Sequence, residues 1–201
     1  TEDYNVNILS LSKSLNLTVY LEGLFNGSTM NKAQNATGNQ FPGLVADQII
    51  VELHNSTSPY AIAAGPYTVN VNTDGTASAT IPASFGASYY IVLKHRNSIE
   101  TWNATPLSFA GSTMSYNFST AAEQAFGNNQ KLISGKYVIF GGDVNQDGIV
   151  DSGDMAPVDN LSGVAATGYL PEDTNGDGLI DSGDMASVDN NSSSAIAKIV
   201  P

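Results

Sequence analysis

Eight aspartates and two asparagines near the C-terminal end of this sequence stand where the oxygen ligands of a metal ion would have to stand. Asp143, Asn145, Asp147, Asp151 and Asp154 occupy positions 1, 3, 5, 9 and 12 of a twelve-residue stretch, and Asp173, Asn175, Asp177, Asp181 and Asp184 repeat the pattern. A calcium ion takes about six to eight hard oxygens, so a short segment must wrap around it and turn sharply on the way. Gly148 and Gly178, at position 6, supply the turn that a side chain would obstruct. The main-chain carbonyls of Ile149 and Leu179, at position 7, complete each ligand set, and position 9 reaches the ion directly or through a water. Many-carboxylate wrapping suits calcium better than magnesium, and zinc would call for His or Cys. The pattern therefore predicts two bound Ca2+ ions.

The two stretches are copies of one another. Asp143 to Asn160 and Asp173 to Asn190 align without a gap at an offset of 30 residues, with 13 identities in 18 positions. After each loop the apolar spacing switches from two to three. Val150 and Ile180, at position 8, are expected to pair as a short bridge between the loops, over a small core of Met155, Val158, Met185 and Val188. The triplets Asp151-Ser152-Gly153 and Asp181-Ser182-Gly183 imitate an aspartic-protease motif, but the cation pattern accounts for the same residues more completely.

These residues resemble the dockerin family, the duplicated calcium-loop modules by which secreted bacterial proteins dock onto cohesins. Asp rather than Glu stands at position 12, and no helical pattern precedes either loop, since Lys136 to Phe140 alternates like a strand and Pro171 interrupts the second approach. The resemblance implies loop-helix halves and recognition through Ser152, Gly153, Asp159 and Asn160, with Ser182, Gly183, Asp189 and Asn190 in the second copy. It also implies an extracellular or cell-surface location.

Charge follows the same division. Of the net charge of -12, residues up to Gly142 carry 8 acids and 6 bases, and the remaining 59 residues carry 11 acids and 1 base. Those halves have net charges of -2 and -10, so the acidic part must stay unfolded or fold around cations. Seven basic residues in all exclude a phosphate-reading surface, so no nucleic-acid partner is expected. No apolar run approaches the roughly 18 residues of a membrane span. Without cysteine, the fold uses neither disulfides nor thiolate metal sites.

The elements that must carry the loops read as β-structure. Leu15, Leu17, Val19 and Leu21 alternate with polar residues, as do Ile49, Val51 and Leu53, while Tyr67, Val69 and Val71 lead into an Asn72-Thr73-Asp74-Gly75 turn and a return run from Thr76 to Ile81. Further runs at Tyr89 to Lys94, Pro106 to Ala110, Met114 to Phe118 and Lys136 to Phe140 give about eight strands at the spacing of an immunoglobulin-like β-sandwich. The chain is thus expected to be mostly β, with a sandwich over residues 1-142 and a dockerin-like unit of two calcium loop-helix repeats over 143-201. A short helix is expected from Thr120 to Phe126, capped by Thr120 and Glu123. The polar stretch from Phe25 to Gly43 reads as a long loop, either solvated or touching a neighbouring molecule. His54 and His95, the two histidines, read as surface or corner residues, and Lys94, His95, Arg96, Glu100 and Trp102 as a salt-bridged turn.

No catalytic constellation emerges, and the chain reads as a non-enzyme. The first functional expectation is a self-assembling fibre or surface-layer subunit held by calcium, with copies of itself as partners and Tyr4 to Ile8 as a donated strand. The alternative is an adaptor that docks onto a cohesin-like protein. A carbohydrate-binding sandwich is a third reading, which would need exposed aromatic residues.

Overall fold

The computed structural model describes residues 12–201. The expected strand donor Tyr4 to Ile8 lies outside them. Ten strands precede the chain's two short 3-10 turns near residue 125: β1 (Ser12–Thr18), β2 (Gln34–Asn35), β3 (Gly38–Asn39), β4 (Val45–Asn55), β5 (Ile62–Asn72), β6 (Thr76–Pro82), β7 (Ser88–His95), β8 (Ser98–Trp102), β9 (Leu107–Ser108) and β10 (Thr113–Asn117). Two more, β11 (Lys131–Ile133) and β12 (Lys136–Val138), follow, and then helices α1 (Ser152–Ser162) and α2 (Ser182–Ser192).

The chain is mostly β, as expected, and the sandwich is produced by one curled sheet. Its hydrogen-bonded order is β10-β1-β6-β5-β4-β7-β8, with β9 also on β7. β1 runs parallel to β10 and antiparallel to β6. Between β5 and β6 the only strand pairing is Val71 with Ala77, next to the Asn72–Thr76 turn. The sheet can fold over at that point because so few bonds hold it flat. Alternation does the rest: β6 buries Ala77, Ala79 and Ile81 and exposes the residues between them. Leu15 and Leu17, Ile49, Val51 and Leu53, and Ile91 and Leu93 meet them in one core, capped by Phe109 and Phe118.

Several local expectations change. The segment from Thr120 to Phe126 is not a helix: it holds two 3-10 turns, Ala122–Gln124 and Phe126–Asn128, and Ala121 caps the first without a side-chain bond. The segment has too little apolar periodicity to bury a helical face. β8 carries Glu100 and Trp102 out of the supposed turn and into the sheet, where it pairs with β7. Both histidines are buried, because each has a carboxylate beside it: His54 Nε2 lies 3.0 Å from Glu52 and His95 Nε2 3.1 Å from Asp47.

The stretch from Phe25 to Gly43 is exposed at Ala36 to Asn39 and has a second role inside the chain. It seats the second loop. The Gln34 amide donates to Gly176 O at 2.8 Å, and a Cβ on Gly176 would overlap Leu24. Polar side chains are plentiful here because they bond one another, as Asn35 to Gln40 at 2.9 Å and Gln34 to Asn39 at 2.8 Å.

Candidate metal centres

Each loop is locked to its helix by its own carboxylates. Asp151 and Asp181, at position 9, are the N-caps of α1 and α2 and accept from the amides of Gly153 and Gly183 at 2.6 Å. Asp154 and Asp184, at position 12, return the bond to the Asp151 and Asp181 amides, closing a capping box in each copy. The other oxygen of Asp154 accepts from the amides of Val144 and Asn145 at 2.7 and 3.0 Å, and that of Asp184 accepts from the amide of Asn175 at 3.0 Å. The position-12 carboxylate thus pins the loop's beginning to the helix's start. Both carboxylates are fully buried.

The turns depend on glycine in a way the local surroundings make explicit. Gly148 and Gly178 have φ of +91° and +83°. A Cβ on Gly148 would come within 2.7 Å of Lys198, and one on Gly178 within 2.9 Å of Gln34. Any other residue would be strained both in backbone and in space.

Asp143 and Asp173, at position 1, carry the strongest sign of a missing partner. Both are buried, and the Oδ1 atom of each has no hydrogen-bond donor. An uncompensated buried carboxylate oxygen costs free energy unless a cation meets it. Burial, together with the neighbouring Asp154 and Asp147, pushes the Asp143 carboxyl up to about 6. Burial, with Asp184 and Asp177, does the same to Asp173, to about 6, although Arg96 works against it. The Asp184 carboxyl is raised too, chiefly by burial. A divalent ion would relieve each of these costs at once, so the residues present fit calcium.

The remaining donors are outside the interior. Asn145, Asp147, Asn175 and Asp177 turn their side-chain oxygens back onto the loop's own amides, as Asp147 Oδ1 does to Ile149 N at 3.0 Å. Among the described residues no three His, Cys, Asp or Glu side chains are gathered closely enough to hold an ion by themselves. Closing either loop on an ion therefore needs these exposed oxygens to swing inward. The Ile149 and Leu179 carbonyls, by contrast, are not used in the main-chain bonds that close the loops, which run through Gly148 O and Gly178 O.

Val150 and Ile180 do not pair with each other. Loop 1 bridges to the segment after α2, Ile149 with Ala197, and loop 2 to the segment after α1, Thr167 with Leu179. Val150 N donates to Ile196 O and Ile180 N to Ala166 O, both at 2.8 Å. The position-8 side chains instead point into the small core with Val158 and Val188, as expected, and with Met155 and Met185 at its margin. Ile99 of β8 enters the same core, which joins the C-terminal unit to the sandwich.

That junction holds what sequence spacing could not reveal. Asp47, fully buried on β4, faces His95 Nε2 at 3.1 Å, Arg96 Nε at 3.5 Å and the Tyr169 hydroxyl. Although burial by itself pushes the Asp47 carboxyl up, His95, Arg96 and Tyr169 together bring it below the ordinary carboxylate value. Ser98 Oγ bonds His95 Nδ1 at 3.0 Å, so Asp47, His95 and Ser98 form a line like a serine nucleophile's triad but with the two ring nitrogens exchanged. Ser98 is only 2% exposed, which bars any substrate carbonyl from reaching it. The Tyr169 hydroxyl, which donates to Asp47, ties the C-terminal part of the chain to this cluster.

The raised carboxyls give a testable sign. A folded-state value lifted from 3.8 to about 6 stabilises below the unfolded value and is lost as pH rises through about 6. Metal-stripped protein in calcium-free buffer should therefore melt at lower temperature at pH 7 than at pH 4.5, and saturating calcium should reverse the order. A stripped protein that is more stable at pH 7 would contradict the burial of Asp143 and Asp173 without a partner.

No protein-family model matches the sequence, and no curated protein matches it. Chains of solved structures do match in fold. A chain in a C-terminal-interface mutant of the type II cohesin-X-dockerin complex from Acetivibrio cellulolyticus aligns over 90% of this chain and 99% of its own, at 14% identity and a TM-score of 0.51. A chain in the N-terminal-interface mutant of that complex gives the same coverage and identity with a TM-score of 0.52. At this identity the likeness shows the fold, a β-sandwich architecture, and nothing finer.

Proposed function

We propose that this chain is a non-catalytic, extracellular docking module whose C-terminal unit, residues 143-201, binds two calcium ions and presents α1 and α2 to a cohesin-like partner. The observation that carries the reading is the pair of buried, donorless oxygens on Asp143 and Asp173, one in each copy of a duplicated loop-helix frame. Calcium answers both, and the ligands are those named above: Asp143, Asn145, Asp147, Ile149 O, Asp151 and Asp154, and Asp173, Asn175, Asp177, Leu179 O, Asp181 and Asp184. The fold shared with chains of a cohesin-X-dockerin complex supports a docking role over an unattached calcium buffer. Ser152, Gly153, Asp159 and Asn160 are exposed on α1, and Ser182, Gly183, Asp189 and Asn190 on α2, so a partner could reach them. No helix among the described residues is long and apolar enough to cross a membrane.

Surface plasmon resonance against a panel of immobilised cohesin modules tests this. Binding to at least one module is expected in millimolar calcium and should disappear in chelator. The absence of binding to all of them, with calcium loaded, would remove the docking role while leaving the ions in place.

A calcium-held fibre subunit is the second reading. It is favoured by the outer edge of β10, which among the described residues is bonded to β1 on one side and ends the sheet on the other. Such an edge is a template for a strand from a second copy. Concentration-dependent polymers of the purified chain in calcium would select it over docking.

A further inference from the structure

The two loops are near-identical in sequence but are held differently. Asp173, the first ligand of loop 2, is reached from the sandwich by two neighbouring side chains in the turn between β7 and β8. Arg96 donates to Leu170 O and, at 2.8 Å, to Asp173 O, and its guanidinium stands 3.8 Å from Asp173 Oδ2. Asn97 Nδ2 donates to Pro171 O at 3.0 Å and Asp173 O at 2.9 Å. The guanidinium also lies 4.4 Å from the Tyr169 ring centre. Every residue from Tyr169 to Asp173 except Glu172 is therefore touched from this one turn. Among the described residues loop 1 has no such clamp from a charged side chain: the neutral amide of Gln146, in the same loop, donates to the Asp143 carbonyl and, at 3.3 Å, to Ser98 O of the sandwich.

We propose that Arg96 is a positioning residue that makes the second calcium site part of the sandwich, so that ion binding at Asp173–Asp184 and seating of the calcium unit on the sandwich form one equilibrium, while the first site binds locally. The inference rests on the calcium reading above. A cation this close to a ligand would oppose an incoming ion if it stood alone. It does not stand alone, because Asp47 lies 3.5 Å from Nε and is sealed from solvent with it. The pair is close to neutral as a unit, so what reaches loop 2 is chiefly the geometric constraint. That constraint fixes the backbone that aims Asp173 Oδ1, the buried oxygen without a donor. Coupling of this kind is reciprocal: whatever seating adds to the second ion's affinity, the second ion returns to seating.

Calorimetric calcium titration of the metal-stripped full chain tests it, with hydrogen exchange at residues 169–173 as a second readout. Replacing Asp47 and Arg96 together, Asp47→Asn with Arg96→Gln, removes the clamp without leaving either charge buried alone. That variant should weaken one of the two sites by about tenfold or more while the other stays within about twofold. The weakened site should be the one that persists in Asp143→Asn, and calcium should cease to protect residues 169–173 from exchange. Equal weakening of both sites, or no change in either, would overturn the proposal. If the double variant does not fold, Asn97→Ala removes only the second clamp and should produce the same one-sided loss on a smaller scale; a symmetric or absent effect there counts equally against it. A wild-type chain that binds no calcium would instead sink the calcium reading on which this one stands.

Discussion

Calcium added to the metal-stripped protein is expected to raise its melting temperature by roughly 10 to 20 °C. An ion held by the folded loops would find no preformed cage on the unfolded chain, so each site would add about 2.7 kcal/mol once free calcium stands a hundredfold above its dissociation constant. Two sites give about 5 kcal/mol, a large share of the 5 to 15 kcal/mol by which folded domains usually exceed their unfolded states. Charge points the same way, because two divalent ions neutralise four of the ten net negative charges on residues 143-201. Scanning calorimetry with calcium and with chelator makes the comparison. A midpoint that does not move would show that neither loop holds an ion in the folded state, whatever its sequence resembles.

Asp184→Ala should be among the most damaging single changes in the C-terminal unit, and part of its effect should survive in chelator. The carboxylate is fully buried and accepts from the amides of Asn175 and Asp181 and from the Thr174 hydroxyl at 3.3 Å. Losing it strands buried donors, at about 1 to 3 kcal/mol each, and removes an ion ligand as well. Asp177→Ala, at exposed position 5, removes a ligand too but frees only the Leu179 amide near the surface. In calcium both variants should be destabilised. In chelator Asp177→Ala should come close to wild type, within about 0.5 kcal/mol, while Asp184→Ala should remain at least about 2 kcal/mol below it. Denaturant titration in both conditions separates the two roles. Equal behaviour of the variants in chelator would mean that position 12 serves the ion alone.

The turns and capped helices of the two repeats were legible in the sequence because their spacing is local: the capping carboxylates and the glycine that turns the chain all fall within twelve residues, and the duplication states it twice. Strands with one buried face were legible for the same reason, as in β6. β8 was not, because Ser98, Ile99, Thr101 and Trp102 are all buried and no alternation survives. Pairing partners were the larger loss. The apolar character of Val150 and Ile180 announced burial correctly, yet nothing in it could say that their amides bond Ile196 and Ala166 rather than each other. Arg96 and Asp173 stand 77 residues apart and meet only because a β-turn faces a loop. The polar run from Phe25 to Gly43 was harder to read for a related reason, since side chains that bond one another look in sequence like side chains that serve water.

The crossed closure of the calcium unit also sets an order of events during synthesis. Loop 2 is clasped by Ala166 and Gly168, which are already made when its own residues appear, so it can close as soon as it leaves the ribosome or the export channel. Loop 1 must wait. Its clasp is Ile196 and Lys198, bonded to Val150 and Gly148, and the chain has to grow by some fifty residues before they exist. A chain caught midway would carry the first loop's carboxylates open, beside a second loop already able to close.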